Sequence, residues 1–192
     1  MEVSSEFESD ILEIIKNRRS RRAFAQKPIE QEKIKSLFEA ARWAPSSVNE
    51  QPWAYVYATS DQPDLWNRIF ESLNESNKIW AKEAPLLIVS LARKYYSRND
   101  NLNNSAKYDV GAANAFLSLQ ATELGLNVHQ MGGFNHSVLR INLNVPDNFD
   151  IGVVMAIGYP GKPEQLPSHL LDRELSPRMR HTQNEFVMNQ TF

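Results

Sequence analysis

The chain of 192 residues contains no cysteine, which excludes disulfides, a thiolate nucleophile, iron–sulfur clusters and cysteine-ligated zinc. Glycine is scarce as well. All seven glycines lie at or beyond Gly111 and no two have G-x-G spacing, so the dinucleotide fingerprint and the P-loop are both missing. Any phosphorylated ligand therefore has to be held largely by side chains. Neither sign of charge dominates: 21 Lys and Arg against 23 Asp and Glu leave a formal net charge of −2. The whole molecule offers no attraction to nucleic acid or anionic membrane, and a basic site must be local. The longest apolar run, Leu86 to Ala92, is interrupted by Ser90 and falls far short of the ~20 residues of a membrane helix. The start, Met1-Glu2-Val3-Ser4-Ser5-Glu6, is acidic and polar with no apolar core behind it. This predicts a mature N-terminus and a soluble, cytoplasmic protein. No repeat and no low-complexity block divides the chain, so one domain over residues 1–192 is expected, with residues 161–192 as a Pro-bearing polar arm.

Periodicity supplies the elements. Ser5-Glu6-Phe7-Glu8 has capping-box spacing ahead of Phe7, Ile11, Ile14 and Ile15, predicting a first helix to about Asn17. Ile34, Leu37, Phe38 and Ala41 predict a second helix that begins near Pro28 and stops at Ala44 before Pro45. Trp53 to Ala58 reads as a strand, and Leu65, Ile69 and Leu73 as a helix after Pro63. Leu86 to Leu91 and Ile151 to Ile157 read as central strands covered on both faces and adjacent in one sheet. Tyr108 to Leu124 reads as a long helix, capped by Gly125 and centrally buried because Gly111, Ala112, Ala113 and Ala115 allow close approach. The polar stretch Arg93 to Lys107 ahead of it is a candidate lid. The fold class is α/β (α+β), a central mixed sheet flanked by helices.

Two segments carry chemistry. Arg18-Arg19-Ser20-Arg21-Arg22 places four guanidinium groups in five residues after a helix. It reads either as a solvated turn favouring the helix C-terminus or as an anion site, since arginine matches phosphate bidentately. Ala41 to Trp53 runs from a helix end to a strand start. Pro45 and Pro52 stiffen it while Ser46, Ser47, Asn49 and Gln51 present hydroxyls and amides, which suits either a capped connection or a heteroaromatic ring with polar edges. His129, His136, His169 and His181 lack H-x-x-x-H spacing, so no metal site is expected. Trp43, Trp53, Trp66 and Trp80 are expected as core or interface anchors.

Together these segments resemble the FMN-dependent nitroreductase family, whose N-terminal pattern is Arg-Arg-Ser-x-Arg followed by Ala-x-x-Ala-Pro-Ser-Ser-x-Asn-x-Gln-Pro-Trp. The resemblance continues through Gln130-Met131-Gly132-Gly133-Phe134, Ala156-Ile157-Gly158-Tyr159-Pro160 and Arg178-Met179-Arg180. It implies that Arg18, Arg19, Ser20 and Arg22 bind the FMN phosphate and ribityl chain, with Arg178 and Arg180 closing over the phosphate. It further implies a homodimer with FMN at the subunit interface, where Pro45, Ser46, Ser47 and Asn49 come from the partner. Gly132 and Gly133 would set backbone amides against the isoalloxazine, and Gln51 and Asn77 are candidates for polar contacts to the ring. The implied activity is two-electron transfer from NADPH or NADH through FMN to a nitroaromatic, quinone or similar acceptor by ping-pong turnover, with the flavin carrying the chemistry. FMN storage or sensing without turnover, and dehydrogenation or dehalogenation on the same fold, are the alternatives. An acidic residue stands at the position of Gly132 in some better-known members, and this chain is shorter between its middle strand and long helix, so substrate-pocket details do not carry over.

Overall fold

A computed structural model describes residues 2–191. In chain order the elements are β1 (Val3–Ser4), α1 (Glu13–Asn17), α2 (Gln31–Arg42), β2 (Trp53–Thr59), α3 (Pro63–Phe70), α4 (Glu75–Ala81), β3 (Leu86–Arg93), α5 (Ala106–Glu123), β4 (Asn127–Met131), α6 (His136–Asn142), β5 (Phe149–Gly158), α7 (Ser168–Leu175) and β6 (Arg180–His181). The main sheet has the order β2-β3-β5-β4.

Successive residues of β3 and β5 point to opposite faces, and both faces are covered. Leu87, Val89 and Leu91 with Val154 and Ala156 join Ile69, Trp80, Ala81 and Leu139 beneath α3, α4 and α6. Leu86, Ile88, Met155 and Ile157 join Ile34, Leu37, Ala113, Leu117 and Ala121 beneath α2 and α5. Two apolar layers on one sheet explain the near-continuous hydrophobic runs, and each fully buried Leu or Ile contributes on the order of 1.5–3 kcal/mol. The helix-flanked sheet and the β3–β5 pairing agree with the sequence reading, but every pairing in the sheet is antiparallel rather than mixed. Apolar runs report that both faces are covered; they carry no information on strand direction. Ser90 breaks the β3–β5 register. Its hydroxyl accepts a bond from the Val153 amide at 3.1 Å, opposite Gly152, where a Cβ would lie 2.6 Å from Ser90 Oγ.

Other boundaries moved for identifiable reasons. The Ser5–Glu8 capping box does not form, and α1 begins only at Glu13. Glu8 instead accepts the Gln183 amide at 2.7 Å, while β1 pairs antiparallel with β6, so tertiary contact with the C-terminal segment displaces a local helix. α2 starts at Gln31, past Pro28, and ends at Arg42. Helix α5 is buried on one side only: Asp109, Val110, Ala113, Leu117 and Ala121 face inward, whereas Gly111 and Ala115 are exposed and Tyr108 is 81% exposed. Residues 94–103 form a tight loop with a Tyr95–Leu102 bridge and an Asn103 amide bonded to the Lys94 carbonyl at 2.7 Å. Among the described residues no helix is long and apolar enough to cross a membrane.

Candidate functional site

The residues after α1 run alongside the end of β5: the Ala25 amide bonds the Tyr159 carbonyl and the Gly161 amide bonds the Ala23 carbonyl, both at 2.9 Å. A Cβ on Gly161 would come within 2.5 Å of the Phe24 backbone, so only glycine allows this approach. The arginine segment is thereby held next to the C-terminal turn of α7. Between them lies a cavity of about 260 Å³ lined by Arg18, Arg19, Ser20, Arg173, Ser176, Pro177, Arg178 and Arg180. No carboxylate lines it. Burial, and then the neighbouring Arg178, Arg180 and Arg19, push the Arg18 guanidinium below its ordinary pKa. Burial and Arg180 do the same to Arg178. Arginine stays charged despite such shifts, so this is positive potential without an internal counterion, suited to a phosphate monoester.

These arginines have different tasks. Arg178 donates to the Ile15, Lys16 and Arg18 carbonyls at 3.4, 3.3 and 2.6 Å, closing the C-terminus of α1. Arg19 donates to the Ser176 carbonyl at 2.5 Å, and Arg22 lies 3.9 Å from the buried Glu174 carboxylate. Among the described residues the Arg18 guanidinium has a single hydrogen-bond partner, Ser20 Oγ at 3.4 Å, and Arg180 bonds the adjacent Met179 carbonyl at 2.7 Å. Arg18, Ser20, Arg173 and Arg180 thus keep their polar groups turned toward the cavity or its rim. Arg173 and Glu174 were missed in the sequence. The one signal for Arg173 was its place in the same arm as Arg178 and Arg180, and nothing local marks Glu174, whose partners lie 151 and 152 positions away.

Edge strand β4 leads away from this cavity. His129 Nδ1 is 3.2 Å from the Arg21 carbonyl, and its ring packs against Trp80 with centroids 4.6 Å apart. Burial, and secondarily Arg22, push the imidazole pKa down to about 4. Three residues on, a span of ~10 Å along a strand, the chain reaches Gly132 and Gly133. No atom lies within 4 Å of a Cβ built on Gly132, whereas one on Gly133 would lie 2.8 Å from Asn77 Nδ2. Asn77 donates to the Gly133 carbonyl at 2.9 Å. The structure therefore brings Asn77 and the glycine pair together, with Gly133 required for close packing and Gly132 open to an incoming ring.

Residues 45–51 form a separate surface. Val48, Asn49 and Gln51 all have positive φ, of 48°, 58° and 52°, conformations costing roughly 1–3 kcal/mol each outside glycine. The loop is held from beneath: the Ser47 amide donates to buried Asp109 of α5 at 3.1 Å, and the Gln51 amide donates to Ser46 Oγ at 3.0 Å. Asp109 also escaped the sequence reading, because its partner is 62 positions away. Pro45, Asn49 and Gln51 are exposed. Among the described residues, no hydrogen bond joins this loop to Arg18–Arg22 or to Gly132–Gly133 of the same chain.

A family model described as the nitroreductase family matches residues 15–159. A crystal structure of an oxidoreductase containing FMN superimposes with a TM-score of 0.91 at 32% identity, covering 97% of this chain and 95% of that one. A Rhodopseudomonas palustris protein with the provisional name NADH dehydrogenase/NAD(P)H nitroreductase is 24% identical over 77% of this chain and 83% of its own length. Iodotyrosine deiodinase 1 of Sus scrofa is 26% identical over 82% of this chain and 64% of its own.

Proposed function

The chain belongs to the nitroreductase family, and on that premise we propose that it is an FMN-dependent oxidoreductase that passes two electrons from NADPH or NADH to a nitroaromatic, quinone or similar small acceptor. The observation that carries this reading is the arginine-lined cavity without a carboxylate, in a chain that also leaves open space beside Gly132. The residues fit the cofactor: Arg18, Arg173 and Arg180 would neutralise its phosphate, Ser20 would donate a hydrogen bond to it, and the backbone at Gly132 would lie against its ring. Bound there, FMN would supply the hydride-accepting and hydride-donating centre. The protein's part is to hold the phosphate, keep a flat backbone wall beside the ring and shape the space above it. A homodimer is part of the proposal, with Pro45, Ser46, Ser47 and Asn49 of one subunit completing the site of the other. In support, this strained loop is exposed and unconnected to the arginines of its own chain.

The test is an absorbance spectrum of the purified protein, followed by anaerobic addition of NADPH and of NADH and then of a nitroarene or quinone. Flavin bands that bleach with a pyridine nucleotide and return with the acceptor are expected. Bands that never bleach would favour storage or another donor, and a protein that takes up no FMN would overturn the reading. The similarity to iodotyrosine deiodinase supports a second reaction at the same site, reductive dehalogenation. Halide release from a halogenated phenol, in place of nitroarene turnover, would select it.

A further inference from the structure

Glu174 is 3% exposed in a region otherwise crowded with arginines. Burying a carboxylate costs several kcal/mol unless its oxygens are satisfied, and here the satisfaction comes from across the fold. The Arg22 amide donates to Oε1 and Oε2 at 3.0 and 3.1 Å, and the Ala23 amide to Oε1 at 3.3 Å. The main chain around Glu174 continues the pattern, with its own carbonyl accepting from Arg21 Nη1 and the Ser176 carbonyl accepting from Arg19 Nη2, both at 2.5 Å. Arg19, Arg21 and Arg22 are thus fastened to the end of α7, while Arg18 just before them and Ser20 among them line the cavity together with Arg19 and with Arg173 from α7 itself.

We infer that Glu174 is a positioning residue for the phosphate site: by clamping the Arg22 and Ala23 amides to α7 it makes Arg18, Ser20 and Arg173 converge on one cavity, and so makes the chain select a phosphorylated flavin over an unphosphorylated one. This rests on the FMN reading above. Coulomb's law alone gives the opposite sign, because a carboxylate near the site repels phosphate, and neutralising it would tighten binding. Positioning and charge are therefore separable by direction.

Apoprotein of the wild type, Glu174→Gln and Glu174→Asp is titrated with FMN and with riboflavin. Glu174→Asp keeps the charge and shortens the reach, and it guards against failure of Glu174→Gln to fold. Both variants are expected to weaken FMN binding ~10-fold or more, the scale of losing one charged hydrogen bond, while riboflavin affinity stays within about twofold. FMN affinity that is unchanged or tighter in both variants would overturn the inference. Equal losses for FMN and riboflavin would overturn it as well, since general loosening does not discriminate phosphate. A wild type that binds neither flavin would overturn the parent reading, whereas a wild type that binds FMN as tightly as both variants would overturn this inference alone.

Discussion

Arg18 and Arg178 line the same cavity yet are expected to respond differently to mutation. Arg178 is tied to three main-chain carbonyls, so its loss falls first on the junction after α1. Arg18 has only a 3.4 Å contact to Ser20, so its loss should fall on the ligand. Replacing Arg18 by Ala is expected to reduce FMN affinity about 10- to 100-fold, the range of a charge-assisted bond to phosphate, with little change in unfolding by urea. Equal FMN titrations for variant and wild type would remove Arg18 from the site. His129 makes a pH prediction. Its folded pKa is lowered to about 4 against about 6.5 in the unfolded chain, so between these values the unfolded state binds more protons. The stability contributed by the neutral imidazole is complete above pH ~6.5 and declines as pH falls toward ~4, by up to about 3 kcal/mol. Urea unfolding from pH 7.5 down to 4.5 should show this slope in the wild type and a shallower one in His129→Asn. Parallel curves would mean that the His129 pKa is the same in the folded and unfolded chain.

Helix α5 shows how far an element follows from its own residues. Gly125 closes it at φ +72°, a left-handed conformation that favours glycine at a helix end. Gly125→Ala should therefore cost about 1 kcal/mol, measured as a lower urea midpoint with unchanged slope; no loss would show that the turn relaxes to another cap. α2, α3, α5, β2, β3 and β5 were all legible because their apolar spacing matches the layer they bury. The short elements α4, α6, α7 and β4 were not. Length alone does not explain this, because α3, β2 and β3 are equally short; those four depend on tertiary partners rather than on a local pattern. The Ser5–Glu8 box shows the reverse error, a sound local signal overruled when Glu8 found the Gln183 amide.

Across the whole molecule, the proposed homodimer would cover apolar residues that are exposed in the single chain. Trp43 precedes the 45–51 loop and Val48 lies within it, at 69% and 61% exposure, and Phe116 and Tyr108 lie with Ala115 on the outer side of α5. Sedimentation at micromolar concentration should give a dimer. Ala115→Glu, which puts a charge on that outer side, should shift the population toward monomer and release FMN in parallel; a monomeric wild type saturated with FMN would defeat the shared-site arrangement. The sequence alone determined the layered α+β class, the two central strands and the arginine and Pro-Ser-Ser segments, because these are encoded in periodicity and in residue types a few positions apart. Tertiary structure alone decided the all-antiparallel sheet, the place of Arg173 beside Arg18 in one cavity, and the burial of Glu174 and Asp109. Those depend on contacts from 23 positions apart, as between Met131 and Val154 in the sheet, to 162, as between Lys16 and Arg178, where hydrogen-bond geometry and desolvation select partners that no local pattern records.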